Sequence, residues 1–174
     1  MSPYYRQRIL YLVVALIAVI LYVPALWCGF VTLDDPLILL ENPTVKNFNL
    51  IETFKYGGWG QKSIDYIPLT IASYALEYSL FGLDPFYYHL NNLVLYVIIC
   101  LLFILFLQKL KSEFFIVAAA AMVFMSHPVH VESVAWVTER KDLLCTVFFC
   151  FHFFFIPLTK RKIQKQFIGI VLRF

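Results

Sequence analysis

Residues 9–27 read Ile-Leu-Tyr-Leu-Val-Val-Ala-Leu-Ile-Ala-Val-Ile-Leu-Tyr-Val-Pro-Ala-Leu-Trp, an uncharged run that follows Arg6 and Arg8. About 19 such residues are enough for a helix to cross a hydrocarbon core of roughly 30 Å. A cleaved leader would begin in the same way, but it needs small residues before its cleavage site. Here Leu26 and Trp27 stand before Cys28, so the run reads as a retained first transmembrane helix.

The rest of the chain supports a membrane setting. Of its 174 residues 61% are apolar, 18% aromatic and only 14% charged, with a mean hydropathy of +0.78. Soluble domains hold about 25% charged residues, so a soluble fold is excluded. The aromatic content also excludes disorder. The net charge of +3 is small, and no basic tract interleaves with aromatics in polar sequence, so nucleic acid is not an expected partner. Cys28, Cys100, Cys145 and Cys150 form no CxxC pair and read as apolar-run thiols rather than ligands.

The expected architecture is all-α and polytopic, with one region over 1–174. Its spans fall at about 9–27, 85–107, 114–126 and 143–158, with a partial fifth at 167–174. A long outer loop at 28–84 and an outer hairpin at 126–142 connect them. Within the loop, Pro68 to Phe81 reads as an amphipathic helix opened by proline and stopped by Gly82, with Leu69, Ala72, Leu76 and Leu80 on one face that can lie at the membrane surface. Asp84-Pro85 supplies an N-cap followed by proline at the first helical position. Pro128 disfavours helix at His127. With a cytoplasmic N-terminus, Arg6, Arg8, Lys109, Lys111, Lys160, Arg161, Lys162 and Lys165 lie inside with one acid, Glu113, and the other acids lie outside. That arrangement satisfies the positive-inside rule. A bacterial inner membrane is the expected location.

Three polar constellations sit on the outer side. Asp34-Asp35 follows the first span, where like-charge repulsion and partial burial raise a carboxyl pKa and suit a general base. A solvated loop pair is the alternative. His127, His130 and Glu132 can be drawn as metal ligands, but they lack a helical HExxH frame and a fourth ligand. They read instead as a polar wall, or as a helix-ending turn with interfacial histidines. Glu139-Arg140-Lys141-Asp142 places two cations outside, where guanidinium and ammonium groups can hold phosphate oxygens, or where they close a salt-bridged turn. His89 and Asn92, one turn apart, can reach an outer cavity or hydrate the end of a span. Trp27, Trp59 and Trp136 fit interfacial belts.

The ordered motifs resemble a known family. They are Phe30-Val31-Thr32-Leu33-Asp34-Asp35 with Glu41-Asn42-Pro43-Thr44-Val45; Tyr66-Ile67-Pro68-Leu69-Thr70; Phe81-Gly82-Leu83-Asp84-Pro85; Tyr88-His89-Leu90-Asn91-Asn92; and His127 to Val137 with Glu139-Arg140-Lys141-Asp142. Together, over Trp27 to Leu144, they look like the transmembrane O-mannosyltransferases that carry tetratricopeptide repeats, in their bacterial form, within the GT-C glycosyltransferases. Tyr96 stands where that family commonly has histidine. No repeat of tetratricopeptide period is present, and the family continues with more spans and a repeat region, so the sequence reads as an N-terminal fragment.

The resemblance implies transfer of a sugar, mannose or similar, from a polyprenyl-phosphate carrier to a protein or glycan acceptor, without a metal or other cofactor. By position it makes Asp34 the base and Asp35 its support. Arg140 and Lys141 then stabilise the leaving phosphate, with His89, Asn92, His127, His130 and Glu132 lining the substrate site. The competing readings are a non-catalytic membrane scaffold and a transporter subunit. A transporter would place ionisable residues at the bilayer midplane and show repeat symmetry, which this sequence does not.

Overall fold

The computed structural model describes residues 2–56 and 66–155, and every described element is helical or irregular. Trp59, the end of the expected fourth span, the basic segment 160–165 and the expected partial span 167–174 lie outside the described residues. Eight α-helices follow in order: α1 (Pro3–Tyr22), α2 (Pro43–Lys46), α3 (Leu50–Tyr56), α4 (Pro68–Phe81), α5 (Pro85–Lys109), α6 (Phe114–Ser126), α7 (His130–Ala135) and α8 (Arg140–Phe155). A 3-10 turn at Val23–Trp27 prolongs α1, a π-helical turn occupies Pro36–Leu40, and a second 3-10 turn, Val137–Glu139, leads into α8.

Helix α1, α5, α6, α7 and the start of α8 share one apolar core. Leu10, Val14, Ala18 and Tyr22 of α1 meet Leu93, Tyr96, Ile99 and Ile104 of α5, with Val117, Ala121 and Met125 of α6. The four-residue spacing on α1 is the i, i+4 stripe of a helix packed along one face. Tyr11 donates to Gln108 Oε1 at 2.7 Å and the Tyr22 and Tyr96 rings meet at 4.8 Å, which fixes α1 and α5 as antiparallel neighbours.

The other face of α1 is equally apolar and uncovered: Leu12, Leu16 and Ile20 are 71%, 60% and 59% exposed. Phe115, Ile116 and Val123 of α6 are also exposed. A contiguous apolar surface of this kind is a membrane or partner contact. Among the described residues two stretches, Tyr4–Trp27 and Pro85–Lys109, are long and apolar enough to cross a bilayer. The expected third span, α6, is apolar but has 13 residues, about 20 Å at 1.5 Å per residue. Helix α8 begins at Arg140, three residues before the expected fourth span.

A second, outer core gathers Leu39, Val45, Ile71, Tyr74, Tyr88 and Val137. Local chemistry sets its frame. Asn42 caps α2 by accepting from Thr44 N at 2.9 Å, with Pro43 at the first position. Asp84 caps α5 through Phe86 N at 3.1 Å. Gly82 ends α4 at φ +66° and ψ −143°, a region essentially reserved for glycine. Its carbonyl accepts from Tyr88 OH at 2.9 Å.

Helix α4 keeps its leucine stripe together on one face and turns it outward, as a helix lying at a membrane surface would. Ile71, Tyr74, Ala75 and Glu77 are buried, while Leu69, Leu76 and Leu80 face outward, 49–64% exposed. The reason is electrostatic as much as hydrophobic: a buried cation recruits the Glu77 side of the helix, as described below.

Candidate functional site

The first outer loop and the second hairpin meet through one carboxylate. Asp35 is fully buried. Its Oδ2 accepts from Val31 N at 2.6 Å, and its Oδ1 accepts from Trp136 Nε1 at 3.1 Å and Thr138 N at 3.3 Å. One charge thus closes its own turn and grips a segment a hundred residues away. Asp34, its neighbour, is half-buried. Its backbone carbonyl accepts from Ile38 N at 2.9 Å as the π turn begins. Among the described residues its carboxylate has no hydrogen-bond partner. The two adjacent acids therefore divide the work: Asp35 is spent on structure, and Asp34 stays available.

Arg140 requires a correction. Expected as an outward phosphate contact, it is 0% exposed and enclosed by α4 and α5. Nε donates to Asn92 Oδ1 at 2.7 Å, Nη1 to Glu77 Oε2 at 2.8 Å and Ser73 Oγ at 3.1 Å, and Nη2 to the Tyr88 carbonyl at 2.9 Å. The Tyr74 ring lies 4.5 Å from the guanidinium, within cation–π range. A buried cation is stable only if paired and hydrogen-bonded, and this one is. It has no fork left for a lipid phosphate.

The surrounding groups register the burial. Desolvation pushes the Glu77 carboxyl up, against the downward pull of Arg140 and of hydrogen bonds from Arg140 and Asn91. Asn91 donates to the other Glu77 oxygen. Burial likewise raises the Tyr74 phenol, with Arg140 opposing, and that phenol donates to the Val137 carbonyl at 2.8 Å. Asn92 is also structural here. Its amide nitrogen sits 3.3 Å from the Trp136 carbonyl and 3.5 Å from those of Val134 and Val137, so it does not reach into an outer cavity. His89 is buried as well, with both ring nitrogens unpartnered among the described residues.

The remaining predicted residues lie elsewhere on the hairpin. Lys141 pairs with Glu139 Oε1 at 3.0 Å, and its side chain is one-third exposed. Glu132 is exposed on α7. His127 Nδ1 accepts from Val129 N at 3.2 Å. The His130 ring packs against Phe124 at 4.5 Å and Tyr96 at 5.5 Å, and burial with His127 nearby pushes its pKa down. Both imidazoles line a groove with α5 and α6. No hydrogen bond or ring contact joins either to Asp34 or Asp35 among the described residues. The structure thus brings Asp35 to the Trp136–Thr138 half of the hairpin, with Asp34 beside it in the chain, and joins the histidines to neither acid among the described residues.

Comparison with known proteins agrees with the ordered motifs. The chain is 35% identical to mouse protein O-mannosyl-transferase TMTC3 over 152 residues, 81% of its own length and 16% of that protein's. It is 32% identical to the human protein of the same name over 74% of its length. It is 29% identical to protein O-mannosyl-transferase F38B6.6 of Caenorhabditis elegans over 92% of its length. The chain is related to the protein O-mannosyl-transferases. It spans about one sixth of the length of the first of these relatives. All three are animal proteins, so they lend the expected bacterial form no support. No family model matches, and no solved structure matches.

Sequence reasoning missed Ser73, Tyr74, Glu77, Tyr88 and Thr138 as members of the polar network. Glu77 carried the clearest signal: a lone acid on a helix otherwise apolar or small marks a side that must meet a cation. Trp136 was visible only as an interfacial aromatic, because its indole N–H partner lies 101 residues away.

Proposed function

We propose that this chain forms the first-loop part of a membrane O-mannosyltransferase and belongs to the family of its relatives, with Asp34 as the general base on the outer face. The supporting observation is the division between the two acids. Asp35 is held by three donors, which pins the loop backbone next to Asp34, whose carboxylate is unengaged among the described residues. In this reading Asp34 takes the proton of an acceptor hydroxyl. The resulting oxygen attacks the anomeric carbon of a lipid-phosphate-linked sugar, and the carbon–oxygen bond to phosphate breaks on the opposite face, inverting the centre. Lys141, one-third exposed, is the cation placed to meet charge on the leaving phosphate. The N-terminus is cytoplasmic, and the Asp34 loop faces the lumen or periplasm.

The test is a full-length relative in which this chain replaces its counterpart segment. Asp34→Asn removes the base at constant shape, so sugar transfer should be lost, by roughly 10²-fold or more, with membrane expression retained. Unchanged transfer would refute the assignment and favour a scaffold, the reading to which the sequestered Arg140 lends weight.

A further inference from the structure

Trp136 fits an interfacial belt by sequence, and its side chain is half-buried. Its indole also has a more specific task. Two of the three donors to Asp35 are main-chain groups, Val31 N and Thr138 N, which any residue other than proline would supply. The third, Trp136 Nε1 at 3.1 Å, is the one that depends on a side chain. The residue at position 136 therefore decides how completely the hairpin holds the loop carboxylate.

The indole is mounted on a fixed frame. Trp136 N donates to the Glu132 carbonyl at 3.0 Å, and Asn92 Nδ2 lies 3.3 Å from the Trp136 carbonyl. Asn92 Oδ1 in turn accepts from Arg140 Nε at 2.7 Å. A chain of hydrogen bonds thus runs from the buried guanidinium through α5 to Trp136, and from its indole to Asp35. Arg140, Asn92 and Asp35 are all fully buried, where such bonds are stronger than in water. Asp34 is the next residue. Its carboxylate has no partner among the described residues, so its place is set by the backbone that Asp35 holds.

We infer that Trp136 is a positioning residue for sugar transfer: its indole N–H holds Asp35 and thereby sets the backbone that carries Asp34. The role rests on Asp34 being the base. A reacting group misplaced by about 1 Å costs about 10²-fold in rate, so one hydrogen bond beside the base weighs more in kinetics than in stability. The indole N–H is engaged by Asp35 and is not offered to a substrate. Its loss therefore falls on kcat and leaves KM alone.

The test uses the full-length relative carrying this chain, with transfer measured against acceptor concentration. Trp136→Phe deletes the N–H together with part of the ring system. Replacing Trp136 by benzothienylalanine, introduced at a reassigned codon, keeps the bicycle and puts sulfur where the N–H was, so packing is conserved. Both should lower kcat about 10- to 100-fold with acceptor KM unchanged. Normal kcat in the benzothienyl protein would show that the ring matters and its N–H does not, which overturns the inference. A raised KM at unchanged kcat overturns it too, because the ring is then a substrate contact. Asp34→Asn in the same assay separates this role from the reading beneath it. If that variant is dead while the benzothienyl protein is normal, the positioning role alone falls. If it transfers sugar normally, the base assignment falls and Trp136 has nothing to position.

Discussion

The hairpin between α6 and α8 has two halves, each carrying polar side chains, with opposite fates. Its first half, His127 to Val131, places two imidazoles on an open groove. Its second half, Trp136 to Arg140, is sealed by Asp35, Asn92, Tyr74 and Glu77. Both halves carry the polar residue types from which sites are made. What separates them is the number of partners that arrive from other helices. The second half is met from the first loop, α4 and α5 at once, so its polar atoms are consumed in holding those elements together. Among the described residues the first half is met by the Phe124 and Tyr96 rings.

The comparison breaks most easily at Arg140. Arg140→Ala would leave the Glu77 carboxylate, Asn92 Oδ1 and the Tyr88 carbonyl buried without their donor. Removing one partner of a buried pair costs about 3–5 kcal/mol. Thermal unfolding of the variant in detergent should show that loss, and Arg140→Lys should recover little of it, because an ammonium lacks the planar fork that serves four acceptors. In contrast, His127→Ala should stay within about 0.5 kcal/mol of the wild type, as an exposed substitution does. Equal losses at the two positions would erase the distinction.

The same contrast holds between adjacent acids. Asp35→Ala strands Val31 N–H, Thr138 N–H and the Trp136 indole N–H, and should cost about 2–3 kcal/mol. Asp34→Ala should be nearly silent in stability, within about 0.5 kcal/mol, whatever it does to transfer. A reversed order would mean that Asp34 is the structural acid. Next in size is Gly82→Ala. Nothing stands within 4 Å of the added methyl, so its whole effect is conformational, about 1–2 kcal/mol for a non-glycine residue held at that φ and ψ. A loss confined to α4 and its contacts, read by amide exchange, would show that the turn sets the approach of Glu77 to Arg140.

Much of the fold was legible because its signals are local. The uncharged run to Trp27, the Asp84-Pro85 cap, the Gly82 stop and the break at Pro128 each depend on a few neighbouring residues, and each lies where the sequence places it. What the other side of α4 buries was not legible. Its leucines form a better apolar stripe than the side it buries, and the deciding interaction, Glu77 with Arg140, spans 63 residues. The site was legible in part for the same reason. Asp34 and Asp35 are adjacent in sequence, but only Trp136 and Thr138, a hundred residues on, decide which of them is occupied. Arg140 looked like an outward cation because its charge was visible and its four acceptors were not.

The finest test concerns Tyr96, where the family resemblance leads one to expect histidine. Helix α6 stops at Ser126 because His127 precedes proline and takes extended backbone, φ −69° and ψ 127°. The last carbonyls of the helix then lack intrahelical donors. Within an apolar core an unpaired carbonyl is costly. Tyr96 OH supplies the missing donor to Met125 at 3.0 Å, and both residues are buried. Tyr96→Phe keeps the ring and removes this bond together with the hydroxyl's contacts to Tyr22 and Cys100, so a loss of about 1 kcal/mol or more is expected in the detergent melt. Tyr96→His restores an N–H donor on a smaller ring and should regain part of it. If phenylalanine proves neutral while histidine is worse, the position is one of ring packing rather than of hydrogen bonding. The open half of the hairpin would then be held in place by aromatic contacts alone.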